Sequence, residues 1–172
     1  MLVIMAGLPA TGKTTVARAL ARELGAVHVR IDTIEHAVVR AGAGEHPLGP
    51  VGYVIAYALA EDYLRQGLTV VADSVNPLAI TRDAWHEVAR AAAVPYLDVE
   101  VVCSDPAEHE HRAGTRTGDI PGLRLPTWAD IVRREYEPWN SERIVLDTAG
   151  FDATECLARL RSLMSNGHHA SG

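Results

Sequence analysis

The chain of 172 residues is poor in aromatics, at 5% Phe, Trp and Tyr, so any core it builds must come from Ala, Val, Leu and Ile. It has only two cysteines, Cys103 and Cys156, far apart in sequence. Two cysteines give no disulfide framework, so the expected setting is a reducing cytoplasm, with Cys103, at the end of an apolar run, buried in the core. No apolar run approaches the ~20 residues needed to cross a bilayer. The N-terminus lacks a basic segment, which reads as a first strand rather than a signal peptide. There is no excess of positive charge: the formal net charge is −6, with no basic stripe. That counts against nucleic acid or an anionic membrane as partner. There is no internal repeat and no linker. The composition, 48% apolar and 22% charged, is that of one ordinary globular domain.

What is present is a punctuated α/β pattern. Strands are expected at Leu2–Ala6, Val27–Ile31, Thr69–Ala72, Leu97–Cys103 and Arg143–Leu146. The first and third are near-continuous apolar runs, as strands covered on both faces require. Helices are expected at Lys13–Leu24, Thr33–Ala41, Val51–Gln66, Pro77–Ala92, Pro106–Arg116, Trp128–Glu135 and Ala153–Met164. Asn76-Pro77 and Asp105-Pro106 both read as an N-cap followed by Pro at the first helical position, and Gly67 reads as a helix stop. The expected architecture is therefore a single α/β domain over residues 1–165, a five-stranded parallel sheet in order 2-3-1-4-5 with helices on both faces. Gly42–Pro50 and Thr117–Pro126 resist regular structure, and the second is long enough to serve as a lid. The tail 166–172 is expected to be disordered.

One motif carries chemistry. Residues 7–14, Gly-Leu-Pro-Ala-Thr-Gly-Lys-Thr, fit G-x-x-x-x-G-K-[ST] between a strand and a helix. Gly7, Leu8, Pro9, Ala10, Thr11, Gly12, Lys13, Thr14 and Thr15 would line a backbone cradle for phosphate oxygens. Lys13 would reach the β- and γ-phosphates and Thr14 would place a hydroxyl on Mg²⁺, the pattern of an ATP site. Ligands of open α/β sheets sit beyond the carboxyl ends of the strands, which makes the polar residues there the candidates. Asp73 closes the third strand and suits a Mg²⁺ role beside Thr14; its alternative is a turn carboxylate. Asp32 closes the second and could accept a hydroxyl proton. The Asp32-Thr-Ile-Glu35 spacing equally fits a capping box. Arg112 and Arg116, four apart before the lid, could stabilise charge in phosphoryl transfer or be helix-terminal charges. Trp128, Tyr136 and Trp139 are either pocket walls or lid anchors. Asp147-Thr-Ala-Gly150 reads as a turn near the nucleotide base, since no N-K-x-D guanine motif is present. His109 and His111, at i and i+2, face different sides of a helix and are not expected to bind metal.

These residues resemble the small P-loop kinases grouped with chloramphenicol phosphotransferase, zeta-toxin-type kinases, adenylylsulfate kinase and polynucleotide 5′-kinases, and kinase-like AAA-family ATPases. The resemblance spans most of residues 1–165 and is specific at Gly7–Thr14, Asp32, Asp73 and Arg112…Arg116-Thr-Gly-Asp119. It implies Asp32 as base and Arg112 and Arg116 as lid arginines. It implies ATP and Mg²⁺ as cofactors and transfer of the γ-phosphoryl group to a small-molecule hydroxyl. A nucleic-acid 5′-hydroxyl kinase and a regulatory ATPase without acceptor are the alternatives. Departures are the absence of D-G-[FY]-P-R after the third strand, which puts nucleoside monophosphates in doubt, and of a G-G-G turn.

Overall fold

A computed structural model describes residues 1–167, with side chains through 165. In chain order the elements are β1 (Leu2–Ala6), α1 (Lys13–Leu24), β2 (Val27–Arg30), α2 (Ile31–Arg40), α3 (Val51–Arg65), β3 (Val70–Asp73), α4 (Ala79–Ala91), β4 (Tyr96–Val102), α5 (Pro106–Thr115), α6 (Trp128–Val132), β5 (Ile144–Asp147) and α7 (Ala153–Gly167). The five strands form one parallel sheet in order β2-β3-β1-β4-β5. β1 is central and buried along its whole length, and the sequence matches, because a strand roofed on both faces admits only apolar residues.

Two cores flank the sheet. On one face Leu2, Ile4, Val70 and Ala72 pack against Ala56, Ala60 and Leu64 of α3 and Trp85, Val88 and Ala89 of α4. On the other, Val3, Met5, Val71, Val99 and Val101 meet Val16, Ala17 and Leu20 of α1 and Cys156 and Leu160 of α7. Small alanines stand where α1, α3 and α4 lie on the sheet, and this lets a chain with few aromatics close a core. No helix among the described residues is long and apolar enough to cross a membrane.

Strand boundaries fall within a residue of expectation, and Gly67 does close α3 at φ +83°. Several local expectations are corrected. Asn76 is not a cap. It sits at φ +47°, fully buried; its amide donates to Met5 O at 3.2 Å and its carbonyl accepts from Trp85 Nε1 at 3.1 Å. These bonds satisfy a polar group inside the core, so the chain stays extended through Pro77-Leu78 and α4 begins at Ala79. The orphan N–H of Ala79 is taken by Glu137 at 2.5 Å. Asp105, by contrast, caps α5 as expected, accepting from Ala107 and Glu108.

α6 ends three residues early. The following coil packs on α4, where buried Arg82 donates to the carbonyls of Glu137 and Pro138 and lies over the Trp139 ring at 4.4 Å. Trp128 stacks edge-on against His109. Trp128, Tyr136 and Trp139 are thus anchors onto the core and not pocket walls. Asn166 and Gly167 continue α7 rather than a tail, and residues 168–172 lie outside the described residues. Cys103 is half-exposed rather than core; Cys156 is the buried one.

Candidate active site

The turn after β1 is built for close approach. Gly7 sits at φ +140°, and a Cβ there would lie 2.2 Å from Val101 O, so no other residue fits. Gly12, at φ +87°, precedes α1, and Ala10 also occupies the left-handed region. Thr11 Oγ1 donates to Leu8 O at 2.9 Å, and the His109 ring holds Pro9 O at 2.8 Å. From across the sheet Thr148 braces the same loop: its hydroxyl lies 2.8 Å from Thr11 O and 3.0 Å from Val102 O. The Asp147–Gly150 turn is therefore packed against the phosphate loop itself, and no signal in the sequence short of the sheet order announces it.

A cavity of about 860 Å³ opens over this loop, lined by Lys13, Thr14, Asp32, Arg112, Arg116 and the lid segment 117–119 and 123–126, among others. The cavity thus gathers the loop, the lid and the end of β2 around one space. Asp73 does not line it. Its carboxylate is 1% exposed and receives Lys13 Nζ at 2.8 Å, with His28 Nε2 at 3.2 Å on the other oxygen. Burial opposes its ionisation, but Lys13 and then His28 outweigh that and hold it well below the ordinary carboxylate range.

Asp32 is not the N-cap of α2. The helix starts two residues earlier than expected, at Ile31, Arg30 occupies the cap position, and no capping box with Glu35 forms. Asp32 instead faces the cavity and accepts from Arg30 Nη2 at 3.3 Å. Glu35 also reaches the cavity, packed so tightly on Gly52 that a Cβ there would lie 2.4 Å from its Cγ. Burial first, and Asp32 second, push its carboxyl above the ordinary range.

The two lid arginines part company. Arg112 donates to Thr148 Oγ1 at 2.8 Å and Thr148 O at 2.9 Å, and pairs with Glu108 one turn back, which fixes it beside the phosphate loop. Arg116 is held by Pro126 O at 3.1 Å, and its Nε is buried without a hydrogen bond. Burial lowers its proton affinity, and the nearby Asp32 acts in the opposite direction.

The residues missed by the sequence reading are Arg18 and Arg30. Arg30 ends β2 at the same sheet edge as Asp32, so the strand-end rule applies to it as much as to the acid. Both bind Asp119 of the lid: Arg30 Nη1 at 2.9 and 2.7 Å, Arg18 Nη2 at 2.5 Å.

A strand–loop–helix phosphate cradle on a parallel sheet of order 2-3-1-4-5, with a lid over its mouth, defines a P-loop NTPase fold of the kinase type. The chain belongs to the AAA domain family AAA_33, whose model it matches over residues 2–135. Among solved structures it is similar to a gluconokinase from Sinorhizobium meliloti, at 18% identity and TM-score 0.66, covering 99% of this chain and 97% of that one. It is similar to the Mycobacterium tuberculosis APS kinase solved with AMPPNP and APS, at 16% identity and TM-score 0.70, covering 95% and 96%. It is also similar to Chaetomium thermophilum Kti12 with ADP-AlF3, at 22% identity and TM-score 0.66, covering 94% and 98%. At these identities the likeness is one of fold. A comparison with curated proteins finds no match.

Proposed function

We propose that this chain transfers the γ-phosphoryl group of ATP to a hydroxyl of a small molecule. The observation that carries the reading is the shared cavity: the phosphate loop, the Asp32 carboxylate and the lid arginines all open onto it. A binding loop alone would need no acid beyond it.

The residues fit a Mg²⁺-nucleotide. Gly7 gives backbone room that any side chain would spoil, Gly12 takes a φ of +87° that side chains rarely adopt, and Lys13 stands at the helix start. Mg²⁺ keeps most of its waters and takes only one or two protein oxygens. The Thr14 hydroxyl, which lines the cavity, would be one of them; Asp73, buried against Lys13 and outside the lining, would be a second only if that pair opened. When bound, the ion neutralises charge on the β- and γ-oxygens. Asp32 orients the acceptor hydroxyl and takes its proton as the new O–P bond forms. The bond from phosphorus to the β–γ bridging oxygen breaks, and ADP leaves with that electron pair. Arg112, braced by Thr148, and Arg116, at the lid hinge, stabilise the charge that spreads over the transferring group. The lid Thr117–Pro126 shuts out water, which would otherwise compete as acceptor.

A second reading, nucleotide hydrolysis without an acceptor, draws on the likeness to Kti12, solved with ADP-AlF3. The two are separated by following γ-labelled phosphate with a panel of alcohols and acids. Label in an organic product supports transfer, and label in inorganic phosphate alone, at a rate indifferent to every alcohol, supports hydrolysis.

A further inference from the structure

We propose that the acceptor is a hydroxy acid whose carboxylate replaces Asp119 between Arg18 and Arg30, which sets its neighbouring hydroxyl against Asp32. The inference rests on the phosphotransferase reading and adds the chemical class of the substrate.

Arg30 lies at the floor of the cavity with its side chain 11% exposed, and each of its nitrogens faces a carboxylate. Nη1 binds both oxygens of Asp119, Nη2 binds Asp32 at 3.3 Å, and Nε points to Asp73 at 3.9 Å without a hydrogen bond. Arg18 comes from α1 and closes on Asp119 from the side. Asp73 ends a buried strand and Asp32 lies in the first turn of a helix, so neither can leave. Asp119 belongs to the Gly/Pro lid, outside any helix or strand; at 42% its exposure is no greater than the 50% of Asp32, so the loop position is what sets it apart. It is the one carboxylate of the three that can be exchanged.

The arrangement is a receptor for a carboxylate, filled by the protein's own. Two guanidiniums from different elements converge on one acid, the geometry in which Arg discriminates carboxylates from neutral groups. When the lid lifts to admit an acceptor, Arg18 and Arg30 lose that anion. A neutral polyol would leave the half-buried Arg30 short of a partner, whereas an acid restores it. The position of the hydroxyl follows from the fork. Asp119 and Asp32 hang from the two terminal nitrogens of a single planar guanidinium. A carboxylate on Nη1 therefore sits beside whatever Asp32 holds, and a hydroxyl one or two carbons from the acid falls to Asp32. Asp119 is then a built-in competitor: a bound acid takes its place on Arg18 and Arg30, and the lid, still held by Arg116 on Pro126 O, closes again over the cavity without that contact.

Binding of D-glycerate and D-gluconate, with glycerol and sorbitol as their neutral counterparts, tests this by calorimetry on the full chain without nucleotide. The acids should bind and the polyols should not. Asp119→Asn removes the internal competitor and should tighten the acids several-fold. Arg18→Gln, whose side chain is 42% exposed on α1, should weaken them roughly tenfold with an unchanged melting temperature, the loss of one charge-assisted bond. Polyols binding as well as the acids, acids binding no tighter to Asp119→Asn, or no acid binding to either form would each overturn the proposal. Since nucleotide is absent, these results are independent of transfer: acids that bind as expected but take no γ-label would uphold the receptor and count against the phosphotransferase reading.

Discussion

Lys13 and Asp73 form a buried ion pair, so replacing the lysine alone tests two roles at once. Lys13→Ala should lower turnover at least ~10²-fold, because a preorganised charge on the transferring phosphoryl group is worth several kcal/mol. It should also destabilise the fold, since it strips a buried carboxylate of its nearest cation. The double change Lys13→Ala with Asp73→Asn removes both charges and separates the effects. Melting temperature should recover toward wild type while turnover stays lost, and recovered turnover would free Lys13 of a chemical role. At Asp32 the structure simplifies the test. Because Arg30 and not Asp32 occupies the cap position of α2, Asp32→Asn should leave the melting temperature nearly unchanged. Transfer to the acceptor should fall by roughly 10²–10⁴, with the low end favoured by a loose transition state. Full transfer by that variant would send the search for a base elsewhere, with cavity-facing Glu35 next in line.

At the scale of elements, α5 is the arm that carries Arg112 and Arg116, and it is pinned at its start by Asp105. Asp105→Ala should cost about 1 kcal/mol of stability, the usual price of an N-cap. It should also raise the KM for ATP, since Arg112 is aimed from this helix at Thr148 and the phosphate loop. A thermal melt and a steady-state titration check both, and a loss of stability with KM unchanged would mean that Arg112 keeps its place through Thr148 alone. The elements also show what could be read from sequence. Pro after Asp105 marked a helix start correctly because nothing else claimed the Asp105 side chain. The same device at Asn76-Pro77 failed because Met5, distant in sequence, and Trp85, inside the following helix, claimed the Asn76 amide. Local patterns report local bonds, and a side chain taken by a tertiary partner is silent in them. The phosphate loop was fully legible because its chemistry lies within eight consecutive residues. The Arg18–Arg30–Asp119 cluster was not, because it joins three elements that only the folded sheet edge and lid bring together.

For the whole molecule, the depressed titration of Asp73 ties stability to acid. A carboxyl held below its unfolded value of about 3.8 contributes stability in full above that pH and loses it as pH falls through the lowered folded value. Wild-type stability should therefore decline steeply below about pH 4, while Asp73→Asn, less stable at neutrality, should show a shallower slope there. Denaturant midpoints measured between pH 2.5 and 7 give both curves, and parallel curves would contradict a native-state ion pair at this position. The order of strands and the two-sided burial followed from apolar runs alternating with helical patterns, so the architecture as a whole was readable from the chain. What the pattern could not show was the direction of each polar side chain at the sheet edge, and there the function resides.

The proposed reaction moves a phosphoryl group from ATP to an organic hydroxyl in the cavity above Lys13. Its most direct test is mass-spectrometric and radiolabel detection of product after incubating the full chain with γ-labelled ATP, Mg²⁺ and a panel of hydroxy acids and polyols. The expected result is a phosphorylated organic product whose formation is lost in Lys13→Ala with Asp73→Asn and sharply reduced in Asp32→Asn. Label appearing only as inorganic phosphate, at the same rate with and without every acceptor and unchanged in Asp32→Asn, would contradict it.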